Sequence, residues 1–171
     1  MEKESDRVIL RALRPSDGAR LVRMDEHLTG RNRSVWYEQK VRRALEESDV
    51  NVSIGAEVDE ILVGAMLGSV QYGEFGVPER VAVLDTILVD ERYQGRGIGT
   101  AMLEEFAGNL SRLGIDRIRT EVGWSEALGV FLGLHGFSMA PRLVLERPLE
   151  GDSPGGSPPS RSSPGLDCQS E

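Results

Sequence analysis

Residues 89–99 read VDERYQGRGIG, and this stretch decides the fold. Ahead of it, Val81-Ala82-Val83-Leu84-Asp85-Thr86-Ile87-Leu88-Val89 is apolar, rich in β-branched residues and as long as a long strand. Behind it, Ile98, Met102, Phe106, Leu110 and Leu113 recur every three or four positions, one apolar stripe from Gly97 to Leu113. A strand therefore passes through a Gly/Arg turn directly into a helix. In the first turn of a helix the backbone N–H groups lack intrahelical partners and the dipole is positive, so an anion is favoured there. Glycine lets the anion's oxygens reach the main chain, and Arg96 adds a mobile cation at the rim. The spacing predicts a pyrophosphate site. A Gly-x-Gly-x-x-Gly fingerprint counted from Gly95 and Gly97 ends on Thr100, and no Gly-Lys-Ser/Thr occurs, so neither a dinucleotide fold nor a P-loop is indicated.

The length of 171 residues, 39% hydrophobic and 28% charged, fits one core. The net charge is −8; the segment from Glu150 carries −3 of it (Arg161 against Glu150, Asp152, Asp167 and Glu171), leaving −5 on the remainder. An acidic domain disfavours nucleic acid as a partner and suits cationic substrates, with plain solubility as the alternative. The one cysteine, Cys168, excludes an internal disulfide, and with His27 and His135 far apart no metal is expected. The charged start Met1–Asp6 and the absence of any apolar run near ~18 residues predict a cytoplasmic protein with no membrane partner.

Periodicity predicts a strand at Arg7–Leu13, a helix capped by Ser16 or Asp17 and running to Leu28, a helix at Trp36–Glu47, and strands at Val50–Val58 and Glu60–Gln71 joined by a turn at Asp59-Glu60. The strand at Val81–Val89 and the helix at Gly97–Leu113 come next. A strand at Asp116–Val122, a helix at Ser125–Leu134 and a final strand at Phe137–Leu149 close the order. From Glu150 the composition turns to Ser, Pro and Gly, so residues 150–171 are expected to form a disordered tail on a domain of residues 1–149.

The segment Gln94-Gly95-Arg96-Gly97-Ile98-Gly99 resembles the Gln/Arg-x-x-Gly-x-Gly/Ala motif of N-acetyltransferases of the GNAT family. Phe131-Leu132-Gly133-Leu134-His135-Gly136-Phe137 is similar to the Phe-Tyr-x-x-x-Gly-Phe stretch near that family's C-terminus, and the element order agrees from Arg7 to Leu149. The resemblance implies an α/β (α+β) fold: a mixed, mostly antiparallel sheet flanked by helices and splayed between strands four and five. It implies transfer of acetyl from acetyl-coenzyme A to a primary amine, on a small molecule or a protein, by direct attack in a ternary complex, and a possible homodimer. The alternatives are an acyl-coenzyme A-binding regulatory module with little catalysis and a donor with a longer acyl group.

Carried onto this chain, the resemblance puts the pyrophosphate on Gln94, Gly95, Arg96, Gly97, Ile98, Gly99 and Thr100. Pantetheine falls on the backbone of Leu88 and Val89, with Ser125 where the family often has asparagine. Glu121 resembles the base of the family's ribosomal-protein branch. Asp85, a carboxylate in an apolar strand on the parity of Val83 and Ile87, is the second catalytic candidate, with an ion pair to a neighbouring strand's arginine as its structural alternative. Tyr72, Glu74, Trp124 and Asp25 fall where the acceptor is expected. Leu132 stands where many members place a tyrosine that protonates the departing thiolate. The thiolate then leaves unaided, or Tyr72, Tyr93 or a water takes over.

Overall fold

Strand β1 (Ile9–Ala12) leads through a 3-10 turn at Pro15–Asp17 into helices α1 (Gly18–Thr29) and α2 (Ser34–Leu45), followed by strands β2 (Ile54–Val58), β3 (Ile61–Tyr72) and β4 (Arg80–Val89). A second 3-10 turn, Glu91–Tyr93, connects β4 to α3 (Ile98–Arg112), and β5 (Ile118–Arg119) and α4 (Glu126–Leu134) complete the order. This computed structural model describes residues 7–47, 50–72, 78–122, 126–142 and 144–147. The chain divides into two units, Met1–Phe137 and Ser138–Glu171, and every element belongs to the first.

The sheet order is β1-β2-β3-β4-β5, antiparallel throughout except for the parallel β4–β5 pair. Helix α3 packs Ile98, Met102, Phe106 and Leu110 on one face, against Val63, Met66, Ala82 and Leu84. On the other face α1 and α2 bury Leu21, Met24, Tyr37 and Val41 against Ala65, Leu67 and Leu88. Each such side chain removed from water contributes about 2 kcal/mol. Small residues in β3 set how closely α3 approaches: a Cβ on Gly68 would stand 2.7 Å from Phe106 Cζ, and one on Gly64 3.1 Å from Met102 Cε. The turn at Asp59-Glu60 forms as expected, with both residues at positive φ (49° and 63°).

Two features of β4 shape the site. It pairs with β5 only at Ala82 and Val83, so from there to Val89 its outer edge has no partner strand among the described residues and the sheet splits. Leu67 sits opposite Thr86 while Gly68 sits opposite Leu84, which makes Asp85 the extra residue of a β-bulge. The bulge resets the alternation: Leu84 and Ile87 pack toward α3, whereas Leu88 joins the α1–α2 core. Asp85 therefore does not share a face with Ile87, contrary to the parity read from the sequence.

Other elements differ from expectation for nonlocal reasons. Strand β5 has two residues rather than the span Asp116–Val122, because only the start of β4 lies alongside it. No strand forms among the described residues of 138–147, all of them exposed, so the predicted Phe137–Leu149 strand is absent there. Asp17 is the N-cap of α1, but its carboxylate is drawn to Arg11 at 2.8 Å and to the Arg14 N–H instead of capping the helix. No helix among the described residues is long and apolar enough to cross a membrane. The predicted tail, 150–171, lies outside the described residues.

Candidate active site

The glycine turn opens α3 beside the split in the sheet. Gly95 and Gly97 adopt φ of 72° and 79°, a region glycine enters without steric cost, and a Cβ at either would meet only open space. Gly97 is the N-cap of α3, so the free N–H groups of the helix start face an unobstructed approach. A cleft of about 530 Å³ lies here, walled by Ile87 and Val89 of β4, by Tyr93, Gln94, Gly95, Gly97, Ile98, Gly99 and Thr100, and by Ala127, Leu128 and Phe131 of α4.

Asp90 anchors the loop at its base. Its N–H donates to the Val63 carbonyl at 2.8 Å, and its buried carboxylate accepts from Arg20 Nη2 at 2.7 Å and from the Arg92 backbone and guanidinium at 3.1–3.2 Å. The Arg92 hydrogen bonds, opposed by burial and assisted by Arg20, hold this carboxyl down to about 2. Gln94 Nε2 donates back to the Val89 carbonyl at 3.0 Å, folding the turn over the strand end. From the opposite wall, His135 contacts the Phe131 carbonyl through Nδ1 at 2.7 Å and the Thr100 hydroxyl through Nε2 at 3.0 Å. A carbonyl only accepts, so Nδ1 carries a proton and donates it to Phe131.

The exposed edge of β4 follows from the ladder. Since the Asp90 N–H bonds to Val63, antiparallel alternation directs Leu88, opposite Ala65, toward β3, and turns the main-chain groups of Ile87 and Val89 outward into the split. The backbone of Leu88 is thus spent on β3 and its side chain on the α1–α2 core, and the edge turned to the cleft is that of Ile87 and Val89.

On the α1–α2 face a groove of about 160 Å³ is lined by Trp36, Gln39, Lys40, Arg43, Ala44, Ser69 and Asp85. Lys40 Nζ donates to Asp85 Oδ1 and Thr86 Oγ1, each at 3.1 Å, and lies 4.2 Å from the Trp36 ring centre. The bulge brings two consecutive β4 side chains to one lysine. Asp85 is about a third exposed rather than buried, and its partner is a helix lysine rather than a strand arginine.

Other sequence-derived positions fall elsewhere. Asp25 is 2% exposed, ion-paired to Arg33 and hydrogen-bonded by the Tyr37 hydroxyl at 3.2 Å, so it supports the α1–α2 pair instead of facing an acceptor. Burial, then the Asp25 charge, raises the Tyr37 hydroxyl and keeps it a donor. Tyr72 pairs with Arg80 at the far end of the ladder, about 30 Å along β4 from Val89. Leu132 is buried in the core, and its neighbour Phe131 faces the cleft. Glu121 is exposed, past the end of β5. Arg96 lies 5.0 Å from the Tyr93 ring centre. Glu74, Trp124 and Ser125 lie outside the described residues. Ile87, Ala127, Leu128 and Phe131 were missed as wall residues; the 127, 128, 131 spacing on an apolar helix was the available signal. Among the described residues no group of three or more His, Cys, Asp or Glu is placed to hold a metal ion.

A family model for the acetyltransferase (GNAT) family matches residues 21–129. No curated protein sequence matches the chain. Among solved structures, ribosomal-protein-alanine N-acetyltransferase from Brucella melitensis biovar Abortus 2308 is 18% identical, with a TM-score of 0.66 over 84% of this chain and 99% of its own. Aminoglycoside N-acetyltransferase AAC(6')-Iy in complex with CoA is 13% identical, with a TM-score of 0.68 over 86% and 99%. Glucosamine-6-phosphate N-acetyltransferase from Arabidopsis thaliana is 13% identical, with a TM-score of 0.62 over 82% and 98%. Identities this low carry the fold alone.

Proposed function

The chain belongs to the acetyltransferase (GNAT) family and is an acetyl-coenzyme A-dependent acetyltransferase, and from that premise we propose that it acetylates a primary amine by direct attack in a ternary complex. One observation carries the reading: the positive-φ glycines open α3 onto a cleft bounded by the unpaired edge of β4. Acetyl-coenzyme A supplies an activated acyl carbon. Gln94, Gly95, Arg96, Gly97, Gly99 and Thr100 hold its pyrophosphate, and the outward main-chain groups of Ile87 with the Val89 N–H hold pantetheine and offer an N–H to the carbonyl oxygen.

A lysine-like amine with pKa about 10.4 is neutral in roughly one molecule per thousand at pH 7, so a base is needed near the acceptor. Asp85 fits best, because its carboxylate already accepts from an alkylammonium at the head of the groove. Glu121 is the second carboxylate, and Tyr93, which lines the cleft, is the acid for the departing thiolate.

The test is coenzyme A release measured with a thiol reagent across amines and lysine peptides, beside calorimetric titration of the cofactor. Amine-dependent release supports the transferase and identifies its acceptor class; binding without release would favour a regulatory module. Asp85→Asn should lower turnover at neutral pH by about 100-fold and recover partly as pH rises. If Glu121→Gln does so instead, Glu121 is the base.

A further inference from the structure

We propose that Lys40 is itself an acyl acceptor, a self-acetylation site in the groove on the α1–α2 face of β4. The proposal rests on the reading that the cleft beside β4 holds acetyl-coenzyme A. Nearly all the basic residues of this chain are arginines; Lys3 and Lys40 are its two lysines. An arginine can make the same ion pair, but only a lysine presents a primary amine on a four-carbon stem that can advance.

The surroundings of that amine are those that recognise a substrate ammonium. Nζ faces the Asp85 carboxylate at 3.1 Å, the Thr86 hydroxyl at 3.1 Å and the Asp85 carbonyl at 3.4 Å, under the Trp36 ring. The next residue along β4, Ile87, turns to the other side and lines the cleft. Thr86 and Ile87 are adjacent on β4 but face opposite sides of the sheet, so the amine reaches the acyl site by swinging on its flexible stem past the outer edge of β4, which has no partner strand beyond Val83 among the described residues.

The reaction balances with these groups. The Lys40 ammonium gives one proton to Asp85, which passes it to solvent. The neutral amine attacks the thioester carbon, the N–C bond forms and the C–S bond breaks. Coenzyme A leaves as the thiol, carrying the second amine proton. The amide product is uncharged, so Asp85 loses its ion-pair partner and is freed to receive an incoming amine.

The full chain incubated with acetyl-coenzyme A and no added amine, followed by intact mass and peptide mapping, tests this. Expected is one acetyl group per chain, on Lys40 well before Lys3, at a rate independent of protein concentration. Lys40→Arg and Lys40→Gln should each lose the label, and Asp85→Asn should slow it about 100-fold. Equal labelling of Lys3 and Lys40, or labelling that survives Asp85→Asn at full rate, means chemical acetylation and overturns the proposal. Coenzyme A binding and acetylation of added amines with Lys40 unlabelled overturns it while leaving the functional reading intact. No coenzyme A binding brings down both.

Discussion

His135 Nε2 lies 3.0 Å from the Thr100 hydroxyl, fastening the end of α4 to the first turn of α3 beside the cleft. The imidazole centre is also 4.4 Å from the Phe131 ring centre, so one side chain orients a wall residue and a residue of the first turn of α3. His135→Phe keeps the ring and removes the hydrogen bond. We expect about 1 kcal/mol of lost stability in urea unfolding and weaker coenzyme A binding by calorimetry. Thr100→Val should do the same, and the double variant should fall short of the sum, since both changes break one contact.

Gly97 separates ligand approach from folding. Its φ of 79° is a conformation asparagine also tolerates, and a Cβ there meets no protein atom within 4 Å. Gly97→Asn is therefore expected to fold with a small loss of thermal stability, set by the backbone strain alone, and to lose coenzyme A affinity, because the new side chain stands at the proposed anion approach. Unchanged affinity would refute the placement of the pyrophosphate.

Asp90 makes the base of the site acid-sensitive. Its carboxyl is depressed from 3.8 to about 2 by Arg92, so its contribution to stability is complete above the ordinary value and disappears as pH falls through the depressed one. Asp90→Asn should be less stable than the parent at neutral pH. The gap should narrow between about pH 4 and pH 2 in a series of urea unfolding curves. A constant gap would mean that the carboxylate charge contributes nothing.

Asp25 is a structural carboxylate. Removing it strands the Arg33 guanidinium and the Tyr37 hydroxyl, and because Arg33 is partly exposed the expected loss is moderate, about 2 kcal/mol for Asp25→Ala. The acceptor KM should not change in assays below the lowered melting temperature. A raised KM with unaltered stability would return Asp25 to the acceptor site.

What was legible in the residues alone is local. The glycine turn, the stripe Ile98, Met102, Phe106 and Leu110 and the hairpin at Asp59-Glu60 each depend on periods and φ preferences within a few positions, and each stands where it was expected. The residues that pack or bond across the fold were not legible. The bulge at Asp85 separates its side chain from the face of Ile87; Asp25 turns to Arg33 and Tyr37; Leu88 is consumed by β3; β5 stops where the sheet divides. Lys40 and Asp85 are 45 positions apart, and no periodicity in either segment announces that they meet. Strand register and helix docking are settled by contacts between distant segments, and those contacts exist only once the chain has folded.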